Sequence, residues 1–148
     1  MYNNYIDFIE FGGLNMDTFF NDEPLVEKLK VHYRKNGKII IAYDYDDTVA
    51  PTYMSKSCDD VVSLLKELRP YAVYICFTSN EYPEKVKEYL KNNDIPCDAF
   101  NENIDFMMHK YGHMRKVYFN ILLDDKAGLG QAYRILKTFL DWVREETK

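Results

Sequence analysis

The chain has 148 residues, 47% of them hydrophobic, with a formal net charge of −5. That is enough for one domain with a sizeable core, and the acidic balance argues against a broad basic surface that would hold nucleic acid by its phosphates. With a mean hydropathy of −0.44 and no long apolar run, a membrane span is not expected, and the opening "MYNNYIDFIEFGG" lacks a basic start ahead of an apolar core, so a cytoplasmic protein is the expectation.

Taken in chain order, residues 1–22 are irregular, although "YIDFIEF" alternates well enough for a short edge strand. Residues 1–36 as a whole read as a partly helical extension ahead of the first core strand. In it "DEPLVEKLKVHYRKNG" puts Leu25, Leu29 and Tyr33 on one helical stripe, with Pro24 near the start and Asn36-Gly37 at the stop. "KIIIAYDY" is short and apolar throughout, the pattern of a strand buried on both faces. "DDVVSLLKELR" predicts a helix with Val61, Leu64, Leu65 and Leu68 inward, closed by Pro70. "AVYICFT" repeats the buried-strand pattern, "PEKVKEYLKNN" the amphipathic helix, and "CDAF" a shorter strand. "KVYFNILLDD" predicts the last strand and "LGQAYRILKTFLDWVREE" the closing helix, with Leu129, Tyr133, Leu136 and Leu140 inward. Strands separated by single helices require crossovers. The expected class is therefore a three-layer, doubly wound parallel α/β sheet in one domain. Cys58, Cys76 and Cys97 lack metal-ligand spacing and read as reduced packing residues.

In such sheets ligands collect beyond the carboxyl ends of the strands. The first strand ends in Asp44, Tyr45, Asp46, Asp47 and Thr48, the second in Thr78, Ser79 and Asn80, and the last in Asp124 and Asp125, with Lys116 just ahead of it. Adjacent carboxylates repel one another and require solvent, a cation or a phosphate-handling site to offset them.

The order of a DxDxT run, a threonine, a lysine and an acidic pair resembles the four motifs of the haloacid dehalogenase-like (HAD) phosphatase superfamily, in particular its short, phage-associated and bacterial uncharacterised members. The likeness spans residues 38 to about 137 and implies a Rossmann-like core. It implies that Asp44 is the nucleophile that forms an aspartyl-phosphate and that Asp46 protonates the leaving group and then deprotonates water. Thr78 would donate to a phosphoryl oxygen and Lys116 would neutralise the phosphoaspartate. Of the two lysines ahead of the last strand, Lys116 is favoured over Lys110. Mg2+ is the implied cofactor, held by Asp44, Asp46 through its backbone carbonyl, and Asp124, with Asp125 acting through a bound water. Ser79 and Asn80 would lie on the substrate side together with Thr48, which is expected chiefly to orient its loop.

Where most members have glycine after the second motif aspartate, this chain has Asp47. The intervals between motifs leave no room for a cap domain, so the site should be open to bulky phosphoesters such as a nucleotide, a polynucleotide end or a phosphoprotein. "VAPTYMSKS" is expected to form a small flap, with Tyr53 and Met54 as candidate substrate contacts, and Asn101 to Asn103 to line the site or form a turn. His109 and His113 lie four apart without a third ligand and read as surface residues. The expected function is a magnesium-dependent phosphomonoesterase. The alternatives are a receiver-like phosphoacceptor, whose acidic pair would follow the first strand, and a non-catalytic binding protein of the same fold. Oligomeric state is left open.

Overall fold

The structure, a computed structural model, describes residues 21–148 except 55, 106–107, 109 and 111. The edge strand expected in "YIDFIEF" and the side chain of His109 lie outside the described residues. The elements in order are α1 (Glu23–Asn36), β1 (Ile39–Tyr43), α2 (Asp59–Leu68), β2 (Ala72–Cys76), α3 (Pro83–Asn92), β3 (Ala99–Phe100), β4 (Ile121–Leu123) and α4 (Leu129–Glu146).

All four strands are parallel and ordered β3-β2-β1-β4. The chain therefore winds outward from β1 through β2 to β3, then reverses across the sheet to place β4 on the other side of β1. The reversal puts the topological switch point between β1 and β4. β1 is central and wholly buried, which explains its run of β-branched residues: both faces need apolar side chains. Burying each isoleucine contributes about 1.5–3 kcal/mol relative to leaving it exposed.

The pleat divides β1 between two cores. Ile39, Ile41 and Tyr43 join Tyr74, Cys76 and Leu123 against the apolar faces of α1, α2, α3 and α4. Ile40 and Ala42 join Ile75 on the opposite face, where Ile104 and Val117 cover them. That second layer is the β3-to-β4 connection, which is helical at Asp105, Met108 and Lys110. The result is the expected three-layer α/β architecture, with no inserted cap among the described residues.

The helix ends follow local chemistry. Gly37 takes the left-handed conformation (φ 74°) and its N–H bonds the Tyr33 carbonyl, closing α1 so that two residues separate it from β1. α1 lies against α4 through Tyr33, Phe139 and Trp142, with the Tyr33 and Trp142 rings edge-on at 6.1 Å and the Arg34 guanidinium 4.9 Å from the Trp142 ring centre. At the other end of that junction Asp22 accepts from Gln131 and Arg134.

The last strand is shorter than its sequence suggests. Residues 117–119 belong to the second core layer, and Asn120 starts the pairing with β1: its side-chain oxygen accepts the Ile40 N–H at 2.7 Å while its backbone N–H donates to the Ile40 carbonyl. The polar residue inside "KVYFNILLDD" thus marks the bend that ends one layer and begins β4.

Candidate functional site at the switch point

Register determines which residues meet. Tyr43 pairs with Cys76 on one side and Leu123 on the other, so the residues that follow, Asp44 and Asp124, emerge side by side. The Asp44 N–H extends this ladder to the Leu123 carbonyl at 2.9 Å. Beyond Asp44 the chain coils into one tight turn, in which the Tyr45 carbonyl accepts from the N–H groups of Thr48, Val49 and Ala50. The Tyr45 ring meets Tyr89 of α3, edge-on at 5.5 Å.

The carboxylates of Asp44, Asp124 and Asp125 each offer an oxygen, and these all lie within 4.8 Å of one another. None of the ion pairs among the described residues reaches them. One oxygen of Asp125 is buried and finds no hydrogen-bond partner, whereas an oxygen of Asp124 accepts the Lys126 N–H at 2.8 Å. An all-oxygen acidic set with an unsatisfied buried oxygen fits a hard divalent cation. The Asp46 side chain is not part of this set. Burial pushes the Asp44 carboxyl above its ordinary value, the charges of Asp124 and Asp46 add to the effect, and the Tyr45 N–H and Thr78 hydroxyl partly offset it.

The second arm of the site is a set of hydrogen bonds converging on the two motif aspartates. Thr78 bonds the Asp44 carboxyl through its hydroxyl, which also accepts the Asn80 N–H at 3.2 Å. Asn80, expected on the substrate side, holds Asp46: its Nδ2 donates to both carboxylate oxygens, at 3.0 and 3.3 Å. Its Oδ1 accepts the Tyr82 N–H, which orients the amide so that the donor faces Asp46. Asn101 clamps the arm from β3, its Oδ1 accepting the Thr78 N–H and its Nδ2 donating to the Thr78 carbonyl, both at 2.8 Å. It does so from the left-handed region (φ 54°), which asparagine tolerates. Asn103 is buried and accepts the Tyr118 N–H.

Thr48, grouped by sequence with the substrate residues, is fully buried and acts as a strut: its hydroxyl accepts the Asp125 N–H at 3.1 Å, tying the β1 turn to the acidic pair. Asp47 sits at φ 55°, the conformation for which glycine is the usual choice, and one of its oxygens accepts the N–H groups of Thr52, Tyr53 and Met54 at 2.9, 2.9 and 3.0 Å. These donors hold its carboxyl below its ordinary value, the Met54 N–H most strongly. Ser79, Tyr53 and Met54 are exposed. Lys116 is also exposed, with no hydrogen bond or ion pair to the acidic cluster. Lys110 and His113 are exposed as well. Cys58 and Cys76 are buried and Cys97 is exposed, all three as free thiols.

No helix among the described residues is long and apolar enough to cross a membrane. No protein-family model matches the chain, and no curated protein does. Among solved structures it is similar to a conserved protein coded by a locus of Bacteroides thetaiotaomicron, with a TM-score of 0.55 and 21% sequence identity over 68% of this chain and 91% of that one. This likeness supports the α/β fold alone.

Proposed function

We propose that the protein is a phosphomonoesterase of the HAD type, with Asp44 as nucleophile and Asp46 as general acid and base. The observation that supports it most is the convergence at the switch point of two differently served aspartates. Asp44 lies beside Asp124, Asp125 and the Thr78 hydroxyl, and Asp46 is held apart by the Asn80 amide.

Phosphoryl transfer by a carboxylate needs an in-line nucleophile and a second group able to move a proton. In the first half-reaction an Asp44 oxygen forms a bond to phosphorus as the ester P–O bond breaks, and the departing oxygen takes the proton from Asp46. In the second, Asp46 takes a proton from water, whose oxygen attacks phosphorus and releases Asp44 and inorganic phosphate. Asn80 holds Asp46 at both oxygens, so the proton-carrying group stays oriented through both halves. A magnesium ion held by Asp44, Asp124 and Asp125, with the Asp46 carbonyl, would supply positive charge to the phosphoryl oxygens. Lys116 is the proposed further cation there. The open site suits phosphoesters too bulky for a capped enzyme.

The test is hydrolysis of p-nitrophenyl phosphate by the purified protein, with magnesium or with chelator, alongside Asp44→Asn, Asp46→Asn, Lys116→Ala and Lys110→Ala. Turnover that requires magnesium, disappears in both aspartate variants and falls with Lys116 but not Lys110 is the expected result. Turnover that survives loss of Asp44 would sink the nucleophile assignment.

A further inference from the structure

We propose that Asp47 is a positioning residue that fastens the flap and so holds Tyr53 and Met54 as a ready-made contact surface for a planar, aromatic leaving group. The leaving-group assignment rests on the phosphatase reading, whereas the fastening does not.

The first support is the choice of residue. The turn after Asp46 needs a left-handed residue, and glycine would satisfy it without strain. Aspartate is one of the few other residues that tolerates the conformation, and here its side chain does something glycine cannot. One carboxylate oxygen gathers three successive backbone N–H groups, from Thr52, Tyr53 and Met54, into a small anion nest. The Asp47 N–H meanwhile donates to the Ala50 carbonyl, closing the base of the same loop. The chain from Ala50 to Met54 is thus wound around one carboxylate.

The second support is what this winding displays. Tyr53 is 82% exposed and Met54 58% exposed, two large apolar side chains on a loop whose backbone is fixed. Fixing a contact loop before the ligand arrives removes an ordering cost from binding. Beneath the flap a cavity of about 470 Å³ is lined by Met54 and Asp47 and reaches Thr48 and Asp125. It joins Met54 to Asp125, one member of the metal-fitting cluster, and Tyr53 stands beside Met54 at its rim as the next residue of the same loop. A tyrosine ring and a thioether offer stacking and sulfur–aromatic contacts, and neither offers charge, so the leaving group they suit is a flat ring.

Two substitutions separate the roles. Asp47→Gly keeps the left-handed turn and removes the acceptor, while Asp47→Asn keeps a side-chain oxygen to accept. Amide hydrogen exchange at residues 52–54 should accelerate in Asp47→Gly and stay slow in Asp47→Asn; equal exchange in all three proteins overturns the fastening. The specificity readout is the ratio of kcat/KM for p-nitrophenyl phosphate to that for ringless glycerol phosphate. It should fall about fivefold in both Asp47→Gly and Tyr53→Ala, the size of one lost aromatic contact, with Asp47→Asn near wild type. Faster exchange with an unchanged ratio overturns the leaving-group assignment. If the wild type hydrolyses no phosphoester while exchange still responds to Asp47→Gly, the phosphatase reading fails and the leaving-group assignment falls with it, but the fastening stands.

Discussion

Replacing Thr48 with valine would remove the hydroxyl that joins the two acidic loops and leave the shape of the side chain intact. Thr48 is fully buried, so valine opens no cavity, and the loss is confined to the Asp125 N–H, which forfeits its acceptor at 3.1 Å. An unsatisfied donor costs about 1–3 kcal/mol, and the partly buried setting places this one near 1–2. For a chain of 148 residues that corresponds to a drop in Tm of about 3–8 °C. Thr48→Ser keeps the acceptor and loses only a methyl, about 1 kcal/mol, so the two variants can melt alike. Magnesium separates them. If the acidic cluster holds magnesium as proposed, loosening Asp125, whose backbone N–H Thr48 accepts, costs about tenfold or more in affinity for the ion. At a fixed, saturating magnesium concentration, Thr48→Val should therefore recover about 1.4 kcal/mol less stabilisation than wild type, and Thr48→Ser should recover all of it. The assay is a pair of thermal melts per variant, with and without the ion. A valine variant that melts within a degree of wild type and responds equally to magnesium would refute the strut.

Two further outcomes follow from the charge distribution. Asp44→Asn relieves repulsion among three carboxylates in one cluster, so without magnesium the variant should melt a few degrees above wild type, and adding the ion should narrow or reverse the gap; a lower melting point in chelator would show that the cluster carries no uncompensated charge. Burial, with the nearby Lys35, lowers the pKa of His32, whose Nε2 finds no partner. The unfolded chain therefore binds a proton that the folded chain resists, and stability falls as pH drops below about 6.5, the ordinary histidine value. Urea midpoints at pH 7.5 and 5.5 should differ less in His32→Gln than in wild type; an equal difference would remove His32 from the pH response.

Much of the architecture was legible because periodicity reports burial. The triplet Ile39, Ile40 and Ile41 announced a strand covered on both faces, and Val61, Leu64, Leu65 and Leu68 are all buried on α2 as their spacing predicts. The end of the last strand nearer its start was misread because "KVYFNILLDD" is apolar on both sides of Asn120, and pattern alone does not show that its amide would bond Ile40. The acidic trio was legible as well, since parallel register brings the ends of neighbouring strands together. What escaped the sequence are the hydrogen bonds made by asparagines and threonine across loops. Asn80 reads as a substrate-side residue and holds Asp46; Thr48 reads as a loop residue near substrate and supports Asp125; Asn101 reads as a site-lining or turn residue and clamps Thr78. Each bond joins residues far apart in sequence, and no local rule encodes its partner. Asp47 left a usable signal: a non-glycine in a position that favours left-handed backbone implies that its side chain has work to do.

The packing of α1 on α4 has an optical consequence. The chain contains one tryptophan, Trp142, wedged between Tyr33, Phe139 and two basic side chains at that junction. Along α4 it lies 13 residues beyond Leu129, roughly 20 Å from the helix end that borders the acidic pair. Its emission therefore reports the seating of the first described helix and is insulated from events among the carboxylates. Detachment of α1 can thus be followed by tryptophan emission in the same sample in which ligands are added to the carboxylates, without one signal contaminating the other.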